Sequence, residues 1–161
     1  MIRKTYTQIQ NDVVSKYRVT LDEHSKCNMK RAHAHVSERR VCNWNPANTF
    51  RSTFTLLHEI GHLETTKRTM KRCESEYYAT CWALDKCKEY NLYVDEDVLY
   101  IYQRYIYQEL ARGKRRGGKK YDAEAMNLYT YIGRNCTVEE FKEMLLSDKN
   151  PGWAQCINPY I

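Results

Sequence analysis

The chain has 161 residues, 42% hydrophobic and 29% charged, with 26 Lys and Arg against 20 Asp and Glu for a net charge of +6. That balance excludes a disordered or low-complexity chain and suits a single domain over residues 1–161, large enough to bury a real core. No segment approaches the roughly 18 unbroken apolar residues of a membrane span, and the opening MIRKTYTQIQND has no apolar signal core, so a cytoplasmic protein with no membrane partner is expected.

Taken in chain order, Thr5 to Lys16 reads as a helix and Tyr17 to Leu21 as a short strand. His24 falls in a polar loop and is assigned no role. Lys30 to Val36 and Arg40 to Trp44 predict a hairpin turning at Ser37-Glu38-Arg39. His33 and His35 alternate on its first strand, so both leave one side; they are read as exposed strand histidines, with flanking a site or adding a stray ligand as the other reading. An edge strand here would suit an extended peptide, held by main-chain pairing. Asn45-Pro46-Ala47-Asn48 then breaks the sheet.

Arg51 to Leu63, RSTFTLLHEIGHL, predicts a helix buried on most sides, with Phe54, Leu56, Leu57, Ile60 and Leu63 around three ionisable residues. Buried ionisable groups are rare unless paired or bound to metal. His58 and His62 are four apart, so they leave the same helix face one turn apart, roughly 6 Å along the axis, and two imidazoles can grip one ion. Glu59 is turned about 100° from His58, beside such an ion, where it can take a proton from a bound water.

A catalytic zinc normally has three protein ligands and a water, so a third donor is required. Glu64, Glu74, Glu76 and Asp85 follow. Glu64 is about 200° around the helix from His62 and faces away unless the helix has already ended. Cys73 to Tyr90 predicts a second helix on which Glu76 heads a stripe of small residues, Ala79, Thr80, Ala83 and Cys87, with Glu74 off that stripe. A small face lets two helices approach closely, and Gly61 removes a side chain from the other partner; glycine inside a helix costs about 1 kcal/mol, which is easier to understand if another backbone passes beside it. Glu76 is therefore the expected third ligand.

Asp95 is a helix N-cap with Glu96 and Asp97 in the first turn, and that helix is expected to reach about Ala111 with Leu99, Tyr102, Ile106 and Leu110 on its core stripe. Arg112 to Lys120, RGKRRGGKK, reads as a basic flexible linker, more a solvated loop than a phosphate-gripping arm. Helices over about Tyr121 to Gly133 and Val138 to Ser147 follow, the second behind a Thr137/Glu140 capping box. Seven cysteines, at 27, 42, 73, 81, 87, 136 and 156, form no C-x-x-C pair, which argues against a zinc ribbon and against a complete disulfide framework. Cys81 and Cys87 fall at helix positions where a thiol packs as a small apolar group.

RSTFTLLHEIGH followed by Glu76-Tyr77-Tyr78-Ala79-Thr80-Cys81-Trp82-Ala83 resembles the ImmA/IrrE family of small zinc peptidases over roughly residues 30 to 90. That family runs from an arginine-led segment into H-E-[LI]-G-H and then a helix with E-x-x-A-N-x-F-A. The resemblance implies one zinc ion per chain held by His58, His62 and Glu76, with Glu59 as general base. Thr80 stands where the family has asparagine, Trp82 where it has phenylalanine, and no leucine-leucine-methionine-proline run follows, which bears on the substrate more than on the ligands.

The fold class expected is α+β, predominantly helical and zincin-like: a small N-terminal β-sheet packed on the active-site helix, and a helical C-terminal half. The function expected is an intracellular metalloprotease acting on a protein or peptide, with a repressor or other regulator as the substrate the resemblance suggests and a regulatory protein as a further partner. His33, His35, Tyr77 and Tyr78 stand as open alternatives for stabilising the oxyanion. The competing class is a non-enzymatic, metal-stabilised module that binds a regulator or nucleic acid. Nucleic acid is not favoured, because the 14 tyrosines are spread along helices and not interleaved with the basic run.

Overall fold

The computed structural model describes residues 4–22, 32–42, 44–68, 70 and 72–115. Among these the fold is α+β and mostly helical: α1 (Tyr6–Lys16), β1 (Thr20–Asp22), β2 (His33–His35), β3 (Arg40–Cys42), α2 (Phe50–Thr65), α3 (Arg72–Glu89) and α4 (Glu96–Arg115). The chain divides into two compact units, Met1–Arg68 with Tyr78–Asp95, and Thr69–Tyr77 with Glu96–Ile161.

In the first unit, α1 begins at a capping box. The Thr5 side chain accepts from the Gln8 N–H at 3.2 Å, and the Gln8 side chain accepts from the Thr5 N–H at 2.8 Å. Ile9 and Val13, four apart, are buried, and α1 packs on α2. The strand expected from Tyr17 starts later, at Thr20, for a local reason. The Tyr17 and Arg18 amides bond back to the Val13 and Ser15 carbonyls, and Arg18 turns left-handed at φ 51°, so these residues end the helix before the strand can begin.

The sheet has the order β1-β3-β2, with β1 parallel and β2 antiparallel to β3. The expected hairpin is present with shorter strands. Val36–Glu38 winds into a 3-10 turn and Arg39 takes the left-handed conformation, which takes Val36 out of the strand; β3 is described over Arg40–Cys42, Asn43 lies outside the described residues, and Trp44 lies in the connection to α2. β2 and β3 both pack on α2. Across the same unit Tyr17 meets Trp82 edge to face at 5.0 Å, and Lys16 pairs with Glu89 at 2.9 Å.

In the second unit, Cys73 and Tyr77 from the first turns of α3 are buried, as are Val98, Leu99 and Ile106 from α4. Glu96 and Asp97 occupy the first turn of α4, where the helix dipole favours them. Tyr102 is only half-buried, and the side chain of Leu110 lies outside the described residues. The helix does not end at Ala111. It continues to Arg115, so the first four residues of the expected linker are helical. Arginine and lysine are good helix formers and suit a C-terminal turn, and one glycine, Gly113, costs only about 1 kcal/mol, too little to end a helix. Arg112 also pairs with Glu109 one turn back. Residues 116–120 and the helices expected over 121–133 and 138–147 lie outside the described residues. No helix among the described residues is long and apolar enough to cross a membrane.

Candidate metal centre

The helix that carries His58 and His62 is started by its own sequence. The Thr49 side chain accepts from the Ser52 N–H at 3.2 Å, the Ser52 hydroxyl accepts from the Thr49 N–H at 3.2 Å, and the Thr53 hydroxyl donates to the Thr49 carbonyl at 2.7 Å. Those bonds satisfy amides that a helix start leaves without partners and fix where the turn count begins. From that start His58 and His62 fall on one face, with ring centroids 4.7 Å apart and planes at 85°. Both are buried, at 3% and 4% exposure.

Helix α3 comes close because of small residues on both sides. A Cβ placed on Gly61 would lie 2.6 Å from the Ala79 carbonyl oxygen and 3.0 Å from its Cα, so no other residue fits there without displacement. Ala79, Thr80, Ala83 and Cys87 are all buried, as the small stripe predicts. One turn before Thr80 on α3 stands Glu76, only 1% exposed. One ligand atom from each of His58, His62 and Glu76 lies within 4.8 Å of the others, forming a buried group able to hold a metal ion.

The burial of Glu76 is the strongest electrostatic fact at this group, since an ionised carboxylate out of water requires a nearby cation. Arg72, one turn earlier on α3, brings its guanidinium to 2.6 Å from Glu76 Oε1. Burial pulls the Arg72 pKa down, but the Glu76 carboxylate, with Tyr105 and Glu109, outweighs it, so the net displacement is upward and the charge is held. Arg72 itself remains largely exposed, so water screens its charge and it compensates the buried carboxylate only in part. The donor set fits a divalent metal.

Two hydroxyls outside the ligand trio touch the rings. Thr80 Oγ1 is 3.3 Å from His58 Nδ1, and Thr66 Oγ1 is 3.4 Å from His62 Nδ1. Partners at the far nitrogen orient a ligating imidazole and set its tautomer. In the sequence Thr80 stands out as a small residue and as the position where the resembled family has asparagine, and Thr66 is not among the candidates. A signal was present: each hydroxyl stands four residues after an expected ligand, Thr66 after His62 and Thr80 after Glu76.

The remaining candidates separate cleanly. Glu59 is half-buried on α2, next in the chain to His58. Glu64 faces outward, as expected while the helix continues, and pairs with Arg39 at 2.5 Å. Glu74 is half-buried and Asp85 exposed; neither joins the group. Tyr77 is buried and Tyr78 half-buried. His33 and His35 depart from the expectation of exposed strand residues: both are half-buried, and their side chains converge with that of Cys42. The cause is strand pairing, which sets His33 directly opposite Cys42. In comparisons with known proteins, the chain matches no protein-family model, no curated protein and no solved structure.

Proposed function

We propose that the chain is a zinc-dependent endopeptidase of zincin-like type that hydrolyses peptide bonds in a protein substrate. One observation carries this reading: a buried carboxylate and two buried imidazoles converge within 4.8 Å, with a further carboxylate, Glu59, adjacent to the first imidazole in the chain. A purely structural zinc site has no use for a base beside it, and such sites are usually closed by four ligands, commonly thiolates.

His58, His62 and Glu76 would hold the ion. Two neutral imidazoles and one carboxylate leave a dication with net positive charge, which keeps it Lewis acidic. When bound, zinc supplies that acidity, lowering the pKa of a water from 15.7 toward about 7 and polarising the scissile carbonyl. With Nε2 of each ring on the ion, the Nδ1–H groups would donate to the Thr80 and Thr66 hydroxyls, which lie within reach of those nitrogens. Glu59 takes the proton of the attacking water on its carboxylate and returns it to the departing amine. Among the described residues β2 is an edge of the sheet and packs on α2, which supports an extended main chain as the thing recognised. The resemblance to ImmA/IrrE peptidases supports a repressor or another regulatory protein as the substrate.

The test is cleavage of proteins encoded beside this one, with fluorescent casein as a general substrate, by the parent and by Glu59→Gln. The variant should keep its metal and its fold while losing cleavage about 10²–10⁴-fold. A Glu59→Gln protein that cuts as fast as the parent would falsify the mechanism. A parent that holds the ion and cleaves nothing would favour the non-enzymatic binding module.

A further inference from the structure

The hairpin carries a second group of metal-ligand type, within the first unit. His33 and His35 on β2 and Cys42 on β3 each offer one donor atom within 4.8 Å of the others. The Nε2 atoms of the two imidazoles are 3.1 Å apart, and the rings sit edge to face with centroids at 5.0 Å. Cys42 is fully buried and is not in a disulfide. We propose that this group is a second metal site, taking a thiophilic divalent ion such as zinc, that clips β2 to β3.

The distances suit the chemistry. Tetrahedral zinc with nitrogen ligands near 2.0–2.1 Å and sulfur near 2.3 Å requires donors roughly 3.3–3.6 Å apart, so the imidazole pair needs to open by only a few tenths of an ångström. A mixed imidazole and thiolate set selects zinc, cobalt or copper over magnesium or calcium, which prefer oxygen. Three protein donors leave a fourth position for water. Binding releases the Cys42 proton to solvent and leaves a thiolate on the ion.

The surrounding charge favours a cation despite Arg40 being opposite His35 in the register. Its guanidinium pairs with Asp22 at 3.2 Å and with Glu38 at 2.6 Å, so two carboxylates offset one positive charge. A structural purpose is apparent in the strands themselves. The three donors sit on two neighbouring strands, so an ion held by His33 and His35 on β2 and Cys42 on β3 would tie β2 to β3.

Cobalt(II) titration of the full chain tests this without reference to catalysis. Thiolate ligation gives a near-ultraviolet sulfur-to-cobalt charge-transfer band. The band should appear in the parent, persist in His58→Ala/His62→Ala, and disappear in both Cys42→Ser and His33→Asn/His35→Asn, each losing one equivalent of metal. Circular dichroism checks the fold of each variant. Should Cys42→Ser fail to fold, the half-buried histidine pair decides alone, because loss of the band there supports the site and its retention overturns it. A parent without any thiolate band overturns it too. Persistence of the band in His58→Ala/His62→Ala separates this site from the one on α2 and α3, so the failure of either is read independently.

Discussion

Gly61 and Ala79 touch through backbone: a methyl group added at Gly61 would stand 2.6 Å from the Ala79 carbonyl oxygen. Helix propensity alone would favour alanine over glycine by about 1 kcal/mol. The obstructing atoms belong to a helix backbone and cannot swing aside, so overpacking, typically 1–3 kcal/mol, decides the sign. Gly61→Ala should therefore lower stability in urea titration and weaken metal binding, because the same approach brings Thr80 to His58. A variant with raised stability would show that the two helices do not pack as closely as described.

Thr80 tests whether the ring partners matter apart from the ligands. Valine preserves its shape and removes the hydroxyl that lies 3.3 Å from His58 Nδ1. Loss of such a partner typically costs 10–100-fold in metal affinity, so Thr80→Val should bind zinc weaker by that factor in a competition titration with a chromophoric chelator. Thr80→Ser, which restores a hydroxyl, should recover most of it. Equal affinity in all three proteins would remove Thr80 from the site.

Cys87 gives a pH prediction with a defined sign. Burial in apolar surroundings pushes its thiol from 9.0 up to about 12. Below pH 9 both folded and unfolded chains keep the proton, and this group adds no pH dependence. Between about 9 and 12 the unfolded chain releases it while the folded chain retains it, so stability falls as pH rises, with a limiting slope of about 1.4 kcal/mol per pH unit. Urea midpoints of the parent and Cys87→Ala, measured from pH 8 to 10.5, should show the parent losing stability faster. Parallel curves would contradict the burial of this thiol. In the native state at pH 8, iodoacetamide should also label Cys87 more slowly than the half-buried Cys81.

The parts of this structure that depend on near neighbours in sequence are legible in the sequence itself. His58 and His62 share a face because of helix spacing alone, and the small stripe from Ala79 to Cys87 announced a close helix contact that Gly61 completes. Element ends were less legible. Arg18 and Arg39 adopt left-handed conformations without being glycine, so nothing in their identity marked the ends of α1 and of the 3-10 turn. The glycine and charges at 112–115 resembled a linker because composition does not reveal that α4 has a partner for Arg112 in Glu109. The convergence of His33, His35 and Cys42 was hidden for another reason: it depends on strand register, a relation between residues nine positions apart that periodicity within one strand does not carry.

Metal content of the purified protein, dialysed against a weak chelator and compared with Glu76→Ala prepared identically, tests the α2–α3 group most directly. Removing the third ligand should lower bound zinc by one equivalent per chain, whatever the hairpin group retains, while helix content stays the same. Identical zinc content in the two proteins would contradict a site built from His58, His62 and Glu76.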